Sequence, residues 1–162
     1  MTLTTHAIVG AAAASFMPEH PVLGFCAGFT SHYVIDAIPH WDYPIYSDSV
    51  DPQRGGRLRF NRTLVRDILT IGFDGILGIA LSFFFFGASV PFAAVIAGAF
   101  GGMLPDPLQF AYVQWKHQPL ISMQKLHDWI HSDRELRKEG RFMLGAISQL
   151  AVIAIVVFVA RL

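Results

Sequence analysis

The sequence predicts an all-α integral membrane protein, a helical bundle of about five transmembrane helices built on a repeated helical hairpin, with a cytoplasmic amphipathic helical segment. Three observations carry that expectation. Hydrophobic residues make up 53% of the chain and charged residues 15%, where soluble domains have roughly 25% charged, so much apolar surface must face something other than water. The apolar residues fall into blocks, Ala7 to Met17, Val22 to Ile38, Ile68 to Phe100 with a break near Gly87 to Pro91, and Phe142 to Ala160. A repeat also runs through them. Pro21, Ala27, Gly28 and Asp36 recur as Pro91, Ala97, Gly98 and Asp106, and Ile8-Val9-Gly10 matches Ile76-Leu77-Gly78 in a register that sets His6 opposite Asp74.

The first helix runs from Thr4 to Met17 and stops at Pro18. At about 21 Å it crosses a bilayer only with tilted partners or local thinning. Met1 to His6 holds no Lys or Arg, and Pro-Glu-His-Pro stands where a signal peptide would have a small-residue cleavage site, so a retained membrane helix is expected. The second helix runs from Val22 to about Ile38, because Pro39 lacks a backbone donor and disfavours helical geometry in the residue before it; residues 4–38 form the first hairpin. Pro44, Pro52, Gly55 and Gly56 make His40 to Phe60 a long loop. The second hairpin, residues 61–106, has helices from Asn61 to Phe86 and from Pro91 to about Leu104, where Pro105-Asp106-Pro107 stops it. Residues 119–138 form the amphipathic segment. Residues 141–160 form the final span, with no charge from Phe142 to Ala160. The whole chain, 1–162, is one membrane domain.

All basic residues except Arg161 lie on the side where the first and third helices begin and the second and fourth end, which makes that side cytoplasmic. A net charge of zero gives no support to a nucleic-acid partner. Cys26, alone in an apolar block, reads as a small buried side chain. Phe83 to Phe86 read as lipid-facing and helix-packing residues, and Gly98, Gly101 and Gly102 as points of close helix contact.

The chemistry concentrates at one membrane side. His32 and Asp36, four residues apart, share a helical face, and His40 and Asp42 turn back over that helix end after Pro39. An ionised carboxylate near hydrocarbon is costly unless it is paired or binds a metal. One reading pairs Asp36 with His32, Arg62 or Arg66 for helix packing. Adding His6, Asp74 and Asp106, all at helix ends on that side, favours a divalent-metal site with His6, His32, Asp36, Asp42, Asp74 and Asp106 as candidate ligands. His127 and His131 form an HxxxH pair without the Glu of HExxH. With His40 they are the candidate catalytic groups, against the alternative of a solvated helix face. His20 and His117 read as ordinary polar residues. Arg57, Arg59 and Arg62 either orient the protein against anionic headgroups or grip a substrate phosphate.

These motifs resemble the YdjM-like, LexA-regulated family of inner-membrane metal-dependent hydrolases. The resemblance rests on Thr5-His6, on Asp36-Ala37-Ile38-Pro39-His40-Trp41-Asp42, on Leu104-Pro105-Asp106, and on His127 and His131 followed by Ser132. The family's Leu-Pro-Asp-x-Asp-His keeps here only its first Asp, with Gln109 in the last position, and Asp128 follows His127 where the family has Arg. The resemblance implies a divalent-metal site on an inner-membrane scaffold.

The leading expectation is thus a hydrolase of a lipid or phosphoester at the cytoplasmic face. One or two divalent ions would make water more acidic and stabilise charge on oxygen, and His127 or His131 would protonate the leaving group. Mixed His and carboxylate ligands admit Zn, Mn or Fe, with Zn or Mn the leading pair. A cation or proton transporter using the same cluster and a non-catalytic membrane scaffold are the alternatives. The oligomeric state stays open.

Overall fold

The computed structural model describes residues 1–47, 58–131 and 142–162. Among them the structure is all-α, with seven helices: α1 Leu3–Ser15, α2 Pro21–Asp36, α3 Arg62–Phe86, α4 Phe92–Met103, α5 Pro105–Gln114, α6 Leu120–Ile130 and α7 Phe142–Val159.

Helix α1 is the hub. Thr2 caps it by accepting the Thr5 N–H. Its sequence is apolar around the whole circumference, as a helix enclosed on all sides must be, and it is buried against α2, α3, α4 and α7. The small residues make that enclosure possible. A Cβ on Gly10 would run into the Gly98 carbonyl, and one on Gly102 would strike the carbonyl of His6, so α4 passes α1 at backbone distance. The core beside this crossing is built from Leu3, Ile8, Phe86, Val95, Ala99 and Met103.

Among the described residues two helices, α3 with 25 residues and α7 with 18, are long and apolar enough to cross a membrane by length and composition. Helices α1, α2 and α4 have 13, 16 and 12 residues, which gives about 20, 24 and 18 Å against a hydrocarbon core of roughly 30 Å. The two long helices turn apolar stripes outward: Leu69, Phe73, Ile76 and Phe84 on α3, and Met143, Ile147, Leu150 and Phe158 on α7. The phenylalanine run divides accordingly, with Phe84 outside and Phe86 in the core. Cys26, expected inside, is exposed on α2, because the helix turns Gly24 and Gly28 toward its neighbours instead.

The stretch after α4 also differs. Helix α4 ends at Met103 with Leu104 as its cap, as expected, and Pro105 then opens a further helix, α5, since the missing proline N–H is one that a first helical turn leaves unused in any case. Asp106 therefore stands in a first turn, where a carboxylate faces free backbone N–H groups and the positive end of the helix dipole. Helix α6 covers the first part of the expected amphipathic segment, with Leu126 and Trp129 exposed and Gln124 and His127 buried; the rest of that segment lies outside the described residues.

Candidate metal centre

Asp36 is the last residue of α2 and His32 lies one turn before it, so both point to the same end of the bundle. Helix α1 adds His6, whose ring stacks on His32 with centroids 3.9 Å apart. Asp106 comes from the start of α5, His127 from α6, His131 from the cap that ends α6, and His40 and Asp42 from the loop after Pro39. His6, His32, Asp36, His40 and His127 are all buried.

The two oxygens of Asp36 face different partners. Oδ2 lies 3.1 Å from His32 Nε2 and 3.2 Å from His127 Nε2, and the two nitrogens are 3.3 Å apart. Asp106 Oδ1 is 3.8 Å from His32 Nε2. Asp36 Oδ1 lies 3.2 Å from His6 Nε2 and 3.9 Å from His40 Nε2. His40 Nε2 is 3.2 Å from Asp42 Oδ2, which is 3.7 Å from His131 Nε2. The Met1 nitrogen is on the same side, 2.8 Å from Asp36 Oδ1 and 3.1 Å from Asp42 Oδ1.

The tautomers give this packing its chemical meaning. His32 Nδ1 donates to the Gly102 carbonyl at 2.8 Å and His40 Nδ1 to the Ile38 carbonyl at 2.7 Å, so in each neutral ring Nε2 carries a lone pair. His32 Nε2 and Asp36 Oδ2 then meet as two acceptors at 3.1 Å. Such a contact requires a cation. A proton on His32 supplies one for a single contact, whereas an ion satisfies His32, His127 and Asp36 together. Buried His6 reinforces this need: Nε2 sits close to Asp36 Oδ1, yet neither ring nitrogen makes a hydrogen bond among the described residues. The buried His and Asp groups form three overlapping sets able to hold a metal ion, His6-His32-Asp36, His32-Asp106-His127 and Asp36-His40-His131.

Outside the helices the charges are tuned as well. Burial works to raise the Asp42 carboxyl, but the hydrogen bond with His40 and nearby positive charge outweigh it and hold Asp42 well below the usual carboxylate range. Burial lowers the His131 imidazole and so favours its neutral, ligating form, and it raises the Tyr43 hydroxyl.

Several supporting residues escape a reading by motif. Gln149, an amide within the apolar α7, accepts the Thr2 N–H at 3.0 Å and donates to the Trp41 carbonyl at 2.8 Å. Ser148 donates to the Pro39 carbonyl at 2.7 Å, and Gly145 leaves room for the Trp41 backbone. Helix α7 thus holds the loop that carries His40 and Asp42. Asp67 accepts the N–H groups of Tyr46 and Ser47 and fixes the same loop further on. Gln109 donates to Asp106 Oδ1 at 3.0 Å and reaches His127 Nε2 at 3.4 Å. The signals for Gln149 and Asp67 are polar groups in apolar helices; Gln109 is marked by its place in the Leu-Pro-Asp segment.

Other expected residues lie elsewhere. Asp74 accepts the Thr4 N–H at 3.1 Å and the Thr4 hydroxyl at 2.7 Å, and it belongs to none of the ligand sets among the described residues. The start of α1 supplies unpaired donors, and Asp74 on α3 is the acid that meets them. Arg66, weighed as a partner for Asp36, instead stacks on Tyr46 and lies 3.8 Å from Asp67. Arg59 and Arg62 are exposed near the start of α3, and Arg57 lies outside the described residues.

Comparison with protein-family models, with curated proteins and with solved structures gave no match. The chemistry of the centre therefore rests on its own geometry.

Proposed function

We propose that this chain is a membrane-embedded metal-dependent hydrolase acting on a lipid or phosphoester at the cytoplasmic face, with Zn or Mn as its ion. The triangle of Asp36 Oδ2, His32 Nε2 and His127 Nε2, with edges of 3.1, 3.2 and 3.3 Å, carries the reading. Donor atoms bound about 2.0–2.2 Å from one ion stand roughly 3.0–3.5 Å from each other, so the triangle matches one face of a coordination shell. Asp106 is the natural fourth donor. His127, expected as a proton donor, turns its Nε2 into the triangle and is assigned as a ligand.

A divalent ion held there would supply Lewis-acid activation of a water and of a phosphoryl or carbonyl oxygen. Asp36, His32 and His127 fix its position. Asp106, Asp42 and His131 are 26%, 20% and 23% exposed and form the rim through which substrate and solvent enter. A hollow of about 10 Å³ lined by Tyr33, Leu108, Leu120, Met123 and His127 adjoins the triangle and has room for a water-sized group.

Membrane placement is supported by the outward stripes of α3 and α7. Phe73 is 70% and Leu150 66% exposed, each in a row of exposed apolar side chains at helical spacing. The side assignment follows the basic residues, and the resemblance to YdjM-like hydrolases agrees with the reaction class.

The test is hydrolysis by detergent-purified protein loaded with Zn or Mn, using phosphate-ester lipids in mixed micelles and soluble aryl phosphates. The expected result is turnover that falls at least about 100-fold in Asp36→Asn. Equal rates for loaded wild type and Asp36→Asn on every substrate would remove the proposal.

A further inference from the structure

We infer that the centre is built for two divalent ions, with Asp36 as the carboxylate that bridges them. This inference rests on the reading of the first ion given above and adds a second position, formed by Asp36 Oδ1, His40, Asp42 and His131. One ion cannot use all the donors present. His32, His127 and Asp106 gather on the Oδ2 side of Asp36, while His40, Asp42 and His131 gather on the Oδ1 side. Six side chains besides the bridging carboxylate exceed the four donors of a tetrahedral site and, with Asp36, the six of an octahedral one. The opposite faces of a single carboxylate are the natural way to divide them between ions roughly 3.5–4 Å apart.

The second set shows the same preparation as the first. His40 has its Nδ1 proton committed to Ile38, as His32 has to Gly102, which leaves Nε2 as a lone pair aimed at Asp36 and Asp42. His40 Nε2 and Asp42 Oδ2 lie 3.2 Å apart, a contact that a proton on Nε2 or a shared ion must join, as at His32. The wholly buried His6 Nε2, without a hydrogen bond among the described residues, is directed at Oδ1. The loop is also held in place: Ser148 and Gln149 take the Pro39 and Trp41 carbonyls, on either side of His40.

The competing occupant of this face is the Met1 nitrogen beside Asp36 Oδ1 and Asp42 Oδ1. As an ammonium group it would supply the positive charge itself. Metal counting separates these occupants.

Full-length protein in detergent is stripped, reloaded with Mn(II), freed of excess ion and measured by elemental analysis and electron paramagnetic resonance. The expected wild type holds two Mn per chain with the spectrum of an exchange-coupled pair. His131→Ala and Asp42→Asn, both at the rim, are each expected to keep one Mn with the isolated six-line spectrum, and Asp36→Asn to keep none tightly. One uncoupled Mn in wild type, with the same count in both rim variants, would overturn the second position and leave the first intact. No retained Mn in wild type would overturn both. Because the wild-type count decides the matter, a rim variant that fails to fold does not protect the inference.

Discussion

His32 and His127, 95 residues apart in sequence, bring their Nε2 atoms to 3.3 Å, each within 3.2 Å of Asp36 Oδ2. An ion that binds Asp36, His32 and His127 in the folded chain and not in the unfolded one stabilises the fold. Adding Zn or Mn is therefore expected to raise the melting temperature. At a free-ion concentration of 100 times Kd the stabilisation is about 2.7 kcal/mol. Thermal melts with and without chelator check this, and an unchanged midpoint at saturating metal would contradict it.

Gly102 has two tasks: its missing side chain admits the His6 carbonyl, and its own carbonyl fixes His32. Gly102→Ala is expected to destabilise the protein by about 1–3 kcal/mol through overpacking and to weaken metal binding. Gly72→Ala, where a Cβ meets open space, is the control; it is expected to gain up to about 1 kcal/mol from helix propensity. Denaturation midpoints and metal titrations of the two variants compare them directly.

Asp74 and Asp36 should behave in opposite ways. Asp74→Ala removes the acceptor of the Thr4 N–H and hydroxyl, so a loss of about 1–3 kcal/mol is expected, with metal content unchanged. Asp36→Asn is expected to lose metal. Elemental analysis of the folded fraction of each variant distinguishes a packing acid from a ligand, and metal loss in Asp74→Ala would put that acid back in the centre.

Gln149→Leu keeps the volume of the side chain but strands the Trp41 carbonyl and the Thr2 N–H. The expected cost is about 1–3 kcal/mol, with faster hydrogen exchange in residues 40–42. Exchange confined to other segments would show that α7 does not hold the loop.

The outward stripes of α3 and α7 predict that the chain stays in the membrane pellet after an alkaline carbonate wash. Leu150→Asp and Phe73→Asp, on the two stripes, are expected to reduce the inserted fraction, because a carboxylate in hydrocarbon costs several kcal/mol, roughly 2.5–3.5 on insertion scales. Wild-type protein recovered in the wash supernatant would refute the membrane reading.

Local signals in the sequence located much of this protein. The i, i+4 spacing of His32 and Asp36 and the break at Pro39 needed only helical geometry to become one end of a binding cluster. The apolar blocks gave α3 and α7 nearly to the residue, since length and hydropathy are properties of a single segment. Pro105 marked the end of α4 near Leu104, but proline also suits a first turn, and sequence alone did not show that α5 begins there.

What the chain determined by itself was its all-α character, its apolar surface and the chemical types gathered at one side. Tertiary structure decided which of them meet. It enclosed the short α1 and turned Asp74 to Thr4, and it drew His127 and His131 from a later helix onto Asp36. It also placed Gln149 under the His40 loop. Spacing along one helix fixes a face, whereas contacts between helices depend on how closely backbones approach, here set by glycines Gly10, Gly98 and Gly102 at the crossing.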